Sequence, residues 1–434
     1  MSSHHYEKFF SENLRPRTHF TPARNWINDP NGLVYYKGKY HLFFQHNPEG
    51  ILWGNMSWGH SVSKDLLHWE HLPVAIPCEA TNGIFSGSAV VDYTNSTGFG
   101  TTEKPAMVAI YTVHQNDASN QSQHIAYSTD EGLTWTKYSQ NPVLDLGMID
   151  FRDPKVSWDE STQTWLMTVA KPQEFKIAFF RSTDLKTWTH LSDFGPLGAT
   201  GGCWECPDLI SLTTPSGETK WVLLVSLNPG GIAGGSGTQY FIGDWDGTTF
   251  TTSQTETLWI DYGRDNYAGV TFANVADDRR IFLGWMSNWD YASKLPSQIW
   301  RGSMTSARDL TLTDVSGKTM LLSTPITDSS LKSFDVDASK NFTLTITAPE
   351  SGDNNCVISF DATTKKISIT RTWIEGIDDF PADAPQVSSV ISADHFTIQI
   401  LLDNGSCELF VPEAALAMTS LTLVAAESAH FTTT

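Results

Sequence analysis

Ser63-Lys64-Asp65-Leu66-Leu67-His68-Trp69 decides the fold, because it returns as Ser128-Thr129-Asp130-Glu131-Gly132-Leu133-Thr134-Trp135 and as Ser182-Thr183-Asp184-Leu185-Lys186-Thr187-Trp188. A weaker fourth copy ends Asp244-Trp245-Asp246-Gly247-Thr248-Thr249-Phe250. The closing aromatics are 66, 53 and 62 residues apart. Such gaps are too long for a hairpin and suit a four-stranded sheet with its loops. A period of this kind marks a radial array in which each copy forms the last strand of one blade.

A second series runs out of step with the first. Leu33–Tyr36 pairs with Tyr40–Phe44 across Lys37-Gly38, and comparable pairs follow: Ser88–Tyr93 with Met107–Thr112, Lys155–Trp158 with Thr164–Ala170, Asp208–Leu212 with Trp221–Leu227, and Ala268–Asn274 with Ile281–Trp285. Five pairs predict five blades. Just ahead of the five openings stand Asp29, Ser86, Asp153, Glu205 and Asp265, separated by 57, 67, 52 and 60 residues. In a propeller the innermost strands surround one channel, so equivalent positions of successive blades converge. Three of the five are acids directly before a proline or with one residue between: Asp29-Pro30, Asp153-Pro154 and Glu205-Cys206-Pro207. Proline biases its predecessor to extended backbone and removes a ladder donor, which suits the mouth of a channel. A single Asx-Pro is ordinary turn chemistry; three in phase with a repeat point to a site.

Composition narrows what that site can bind. The formal net charge of −20 repels a phosphate backbone, so nucleic acid is excluded as a partner. No apolar stretch approaches the roughly 20 residues of a membrane span, so a soluble protein is expected. Met1 to Phe10 shows no basic segment followed by an apolar one, so the chain as written is expected in the cytoplasm, or outside the cell if a leader was removed. Cys78, Cys203, Cys206, Cys356 and Cys407 are odd in number and scattered, which argues against a disulfide framework. Cys203-Trp204-Glu205-Cys206 has C-x-x-C spacing without a second pair of zinc ligands, so no metal is expected.

Three carboxyls in one cavity cannot all ionise cheaply, so one should hold its proton while another stays charged. That asymmetry is what glycosidic cleavage needs: a proton donor on the leaving oxygen and, for retention, a carboxylate nucleophile on the opposite face. Trp26, Trp53, Phe85, Trp204 and Trp285 offer apolar faces for a sugar, and Asn28, Gln45, Ser86 and Arg152 offer hydrogen-bonding groups. With 16 Trp in the chain most must be core; Trp26 and Trp204 stand out because they flank acids. Arg152 reads equally as a salt-bridge partner of an acid and as a donor to substrate.

Asn25-Trp26-Ile27-Asn28-Asp29-Pro30-Asn31-Gly32, Phe85-Ser86-Gly87-Ser88, Phe151-Arg152-Asp153-Pro154 and Trp204-Glu205-Cys206-Pro207-Asp208 together resemble the signature segments of glycoside hydrolase family 32, which holds invertases, inulinases and levanases. The resemblance extends through Gly263–Tyr267 and Gly284–Trp289 and covers most of residues 15 to 310. It implies a five-bladed β-propeller followed by a β-sandwich. It also implies Asp29 as nucleophile, Glu205 as acid/base and Asp153 as transition-state stabiliser, without metal or organic cofactor. Asn28, Gln45, Trp53, Phe85, Ser86 and Arg152 match the family's fructose subsite. The implied activity is exo-hydrolysis of terminal β-D-fructofuranosyl units of sucrose, inulin or levan. The propeller is expected over residues 1–315 and the sandwich over 316–434. From about Met320 the sequence is shorter than the family pattern and Asp403–Phe410 matches it only loosely. Fructosyl transfer, an inverting pentosidase and a sugar-binding propeller without catalysis are the alternatives.

Overall fold

A computed structural model describes residues 15–277, 279–295, 297–351, 355–372 and 385–434. Its strands sort into seven sheets, five arranged radially and two face to face. Blade I contains Asn25–Tyr36, Lys39–Asn47, Ser57–Ser63 and Trp69–Ile76. Blade II contains Asn82–Val91, Met107–Gln115, Gln121–Ser128 and Thr136–Lys137. Blade III contains Arg152–Asp159, Thr164–Lys171, Lys176–Ser182 and Thr189–Phe194. Blade IV contains Cys203–Thr213, Thr219–Asn228, Gly237–Trp245 and Phe250–Thr251. Blade V contains Tyr267–Thr271, Arg280–Trp285, Arg308–Val315 and Lys318–Pro325. The first strands of successive blades touch in cyclic order, and the fifth returns to the first. A backbone bond from Tyr35 to Ala273 seals that seam.

The repeated Ser-x-Asp motif forms the turn that leads into each outermost strand. Ser63 Oγ accepts the amides of Asp65 and Leu66, and Asp65 Oδ1 accepts those of Leu67 and His68. Ser182 and Asp184 repeat the pattern on Asp184, Leu185, Lys186 and Thr187. Short polar side chains thus replace the ladder partners that the backbone loses at the corner. The terminal Trp packs inward from there: Trp69 against Phe20 and Trp135 against Phe43.

Every innermost strand carries a register shift near its start, and that of blade I carries a second between Asn31 and Val34. The register shifts fall between Ile27 and Pro30, Ile84 and Gly87, Arg152 and Lys155, Glu205 and Asp208, and Tyr267 and Val270. Asp153, Cys206 and Ala268 take the left-handed backbone there, with φ of 64°, 47° and 53°. A bulge bends its strand and re-aims a side chain. Five bulges at the same height therefore turn five strands toward one axis.

The sandwich follows. Lys332–Asp337, His395–Asp403, Ser406–Val411 and Leu416–Leu421 form one sheet. Phe342–Thr347, Asn355–Asp361, Lys366–Arg371, Gln386–Val387 and His430–Thr433 form the other. Period-two alternation buries Leu344 and Ile346, Ile358 and Phe360, and Ile367 and Ile369 between them. The same apolar cluster continues through Trp259 and Tyr262 into blade IV. The division drawn from sequence at 315/316 falls on the Ser316-Gly317 turn of blade V, whose outermost strand runs to Pro325. Both turn residues have positive φ, so they join two strands of one sheet.

Buried ions also tie the two parts together. Arg308 donates to Asp261 at 2.9 Å and to Glu408 of the sandwich at 2.8 Å. Burial would strip the His19 proton, but Asp403 and Glu408 hold the ring at 2.8 Å on both sides and push its pKa up to about 10. These charges are paired rather than solvated.

Candidate active site

At the blade I bulge, Asp29 Oδ1 accepts the Asn28 amide at 3.0 Å and Oδ2 accepts the Ser86 hydroxyl of blade II at 2.7 Å. Asn28 is itself fixed by the Trp26 indole N–H at 2.8 Å. At the blade III bulge the Asp153 amide donates to Thr112 Oγ1 at 3.0 Å, and the carboxylate accepts the Cys206 amide at 2.9 Å. The Cys206 sulfur lies 3.8 Å from Asp29 Oδ2 and 3.6 Å from Asp153 Oδ2. One atom thus touches the acids of blades I and III while its own residue adjoins Glu205 of blade IV. The three carboxyls share a single cavity.

Glu205 is gripped from both sides. Arg152 places Nε and Nη2 each 3.1 Å from Oε1, and the Tyr267 hydroxyl donates to Oε2. Arg152 also reaches Asp150 at 2.7 Å and Gln121 at 3.2 Å. It is therefore an ion-pair partner of the acid, one of the two roles open to it in sequence. Burial, and then the charge of Glu205, push Asp29 up to about 6, against the pull of its bonds from Asn28 and Ser86. Burial also raises Asp153; the Arg152 charge opposes that, and the charges of Glu205 and Asp29 add to it. The cavity thus gives Asp29 and Asp153 a higher proton affinity than a solvated carboxyl has. Burial and the three acids hold the Cys206 thiol neutral, which makes it a poor metal ligand or nucleophile. The sequence reading missed Cys206, Gln121 and Tyr267.

Not all expected residues converge. Trp53 is 49% exposed and meets Phe85 edge-on at 6.1 Å on the rim. Gln45 is buried, and its side-chain NH2 has no partner. Trp204 and Trp285 offer no face to a sugar: both are fully buried. Trp204 packs on Phe194 and Phe241, and Trp285 backs Trp26 at 6.0 Å and Tyr267 at 6.5 Å. Trp26 is equally buried and acts through Asn28.

Asp265 also lies outside the cavity. The bulge of blade V falls at Tyr267–Val270, two residues past the position that even spacing assigns, so Tyr267 occupies the fifth place in the ring. Asp265 instead accepts Arg371 of the sandwich at 3.0 Å, the Leu421 amide at 2.8 Å and the Tyr291 hydroxyl. Replacing Arg371 with Met leaves that carboxylate buried and unpaired. The expected cost is about 3–5 kcal/mol, read as a fall in melting temperature, with partial recovery when Asp265→Asn is added. A wild-type melting temperature would refute the tie.

A cavity of about 380 Å³ lies away from the acids. It opens at the other end of the inner strands, beyond the buried Lys155–Asp208 pair at 3.3 Å. Among the described residues no cluster of three or more His, Cys, Asp or Glu is arranged to hold a metal.

A five-bladed propeller fused to a sandwich, with three acids at its channel mouth, defines a class of glycoside hydrolase architecture. Residues 19–325 match the model of the glycosyl hydrolases family 32 N-terminal domain, and residues 300–432 match that of the family 32 C terminal; the chain belongs to this family. It is 49% identical to the levanase of Bacillus subtilis (strain 168) over 73% of this chain and 48% of that protein, so it spans about half the length of that relative. The crystal structure of exo-inulinase from Aspergillus awamori superposes with a TM-score of 0.89 and 34% identity, covering 97% of this chain and 95% of that one. The β-fructofuranosidase of Schwanniomyces occidentalis complexed with fructosyl-erythritol gives 0.87 and 34% identity, over 96% of this chain and 93% of that one.

Proposed function

We propose that the protein is an exo-acting β-fructofuranosidase that removes terminal β-D-fructofuranosyl units from sucrose and fructans by double displacement. The observation that carries this reading is the Cys206 sulfur in contact with both Asp29 and Asp153, one residue from Glu205. In the first step Glu205 protonates the leaving oxygen as Asp29 attacks the fructosyl anomeric carbon. In the second, Glu205 takes a proton from water as that water opens the ester on Asp29. In the structure both Glu205 oxygens accept hydrogen bonds, from Arg152 and Tyr267, the arrangement suited to the base of the second step. Asp153 serves to hold fructosyl hydroxyls while charge builds on the ring.

Incubation with sucrose, inulin and levan, followed by chromatography over time, tests the reading. Free fructose released from chain ends at early times is expected. Oligosaccharides longer than the substrate, accumulating at high sucrose, would favour transfer. Tight binding without any release would favour a binding propeller.

A further inference from the structure

The cavity at the far end of the inner strands takes no part in the chemistry above. At about 380 Å³ it has the volume of a small-molecule site. Its floor is a layer of paired groups that divides it from the acids. Lys155 donates to Asp208 and to the Thr271 carbonyl, and Asp208 also accepts the Thr271 amide and hydroxyl, both at 2.7 Å. Its walls carry aromatic rings from three blades. Tyr93, just past the inner strand of blade II, is 53% exposed, and Trp158 of blade III and Trp221 of blade IV are partly exposed. One exposed aromatic needs no explanation, but three around a single concavity mark a binding surface.

The polar groups say what kind of ligand fits. Besides the Lys155–Asp208 pair, Arg279 holds Asp309 at 2.9 Å and Arg280 donates to the Ser211 hydroxyl at 3.2 Å. An anion would have to draw a cation from a partner it already has, against a formal net charge of −20. A wholly apolar ligand would desolvate these groups and return nothing. Asn274 adds an amide to the wall: its side-chain oxygen accepts the Val91 N–H at 3.2 Å, which turns its NH2 the other way. A neutral ligand with C–H faces for the rings and hydroxyls for the polar groups meets both demands, and that is the chemistry of a sugar.

We propose that this cavity is a second carbohydrate site, at the pole of the propeller opposite the acids, which holds part of a fructan chain without cleaving it. Cleavage would need a free acid and a free nucleophile together, and here Asp208 is bound to Lys155 while Glu160 accepts the Gln163 amide at the exposed edge. The use of such a site is retention. A chain gripped at one pole stays at high local concentration for the acids at the other, so the enzyme remains on the polymer between turnovers. That the sugar is a fructan rests on the fructosidase reading; that the site takes a sugar rests on the cavity's own groups.

Two measurements test it, both on Asp29→Asn protein, which does not consume the polymer. In the first, exposed tyrosines are nitrated with tetranitromethane in the presence and absence of inulin or levan, and the peptides are weighed. One of the two fructans should slow nitration of Tyr93 several-fold and leave that of Tyr138, beside the outermost strand of blade II, unchanged. Equal rates at Tyr93 with and without both polymers, or equal slowing of the two tyrosines, overturn the site. In the second, migration through gels that contain the same polymers is compared with and without an added Tyr93→Ala, a change on an exposed ring whose effect on the fold is read by melting temperature. The apparent dissociation constant for the polymer is expected to rise about fivefold, the worth of one aromatic contact. Unchanged retardation overturns the site. If the unaltered protein cleaved neither sucrose nor the fructans, the fructosidase reading would fail, while the nitration arm would still report on the cavity.

Discussion

With Asp29 replaced by Asn, turnover of sucrose is expected to fall by roughly 10⁴-fold or more while substrate affinity changes far less, because the amide cannot form the ester that divides the reaction in two. Steady-state kinetics reads this directly, and a loss of less than about tenfold would remove Asp29 from the role. The same variant makes a second prediction whose sign follows from the site. In the folded protein Asp29 titrates near about 6 instead of the usual 3.8. Above pH 6 the fold therefore carries a charged carboxylate that it binds less well than the unfolded chain does, and the ion is destabilising there. Below pH 4 both states hold the proton and the difference disappears. Asp29→Asn should accordingly melt higher than the unaltered protein at pH 7.5, with a gain on the order of 1–2 kcal/mol after allowance for the partial opening of the site to water. The gain should vanish toward pH 4. A variant that melts lower at neutral pH would mean that the carboxylate is a structural anchor and not a strained catalytic group.

Glu205→Gln should slow sucrose hydrolysis by roughly 10²- to 10⁴-fold, the usual worth of a positioned acid. The loss depends on the leaving group. A substrate such as a fructosyl fluoride needs no protonation, so its first step should remain fast, while hydrolysis of the intermediate, which needs Glu205 as base, stalls. Azide, a nucleophile that needs no base, should restore turnover and yield fructosyl azide. Gln keeps the acceptor for Arg152 and the volume beside Tyr267, so packing is not the cause of the loss. Equal losses on sucrose and fluoride, with no azide rescue, would assign Glu205 to positioning alone.

The residues that announced themselves in sequence did so because their chemistry and their phase coincided. Asp29, Asp153 and Glu205 sit where each of their blades restarts, one or two residues before a proline, and the bulges that aim them are the structural meaning of that restart. The Ser-x-Asp repeat was legible for a similar reason: a turn that side chains must cap needs the same side chains each time. Asp265 shows the limit of counting. Even spacing assigned it to the ring, but blade V bulges two residues later, and the carboxylate turned to a cation 106 positions away in the sandwich. Tyr267 was within sight, two residues on, yet nothing local marks a tyrosine whose partner belongs to another blade. Gln121 is of the same kind, since its role is to hold Arg152 and arises only once blades II and III are side by side. Trp204 and Trp285 lie beside site residues in sequence or in space, but adjacency does not say which face of a strand a side chain takes, and both went to the core.

Trapping the intermediate tests the central claim most directly. Glu205→Gln protein is mixed with a fructosyl fluoride, quenched in acid, digested, and its peptides are weighed. The account predicts that the peptide containing Asn25 to Gly32 gains one anhydrofructosyl unit, on Asp29. A label on the peptide containing Asp153, or fructose released without any labelled peptide at any time, would contradict it.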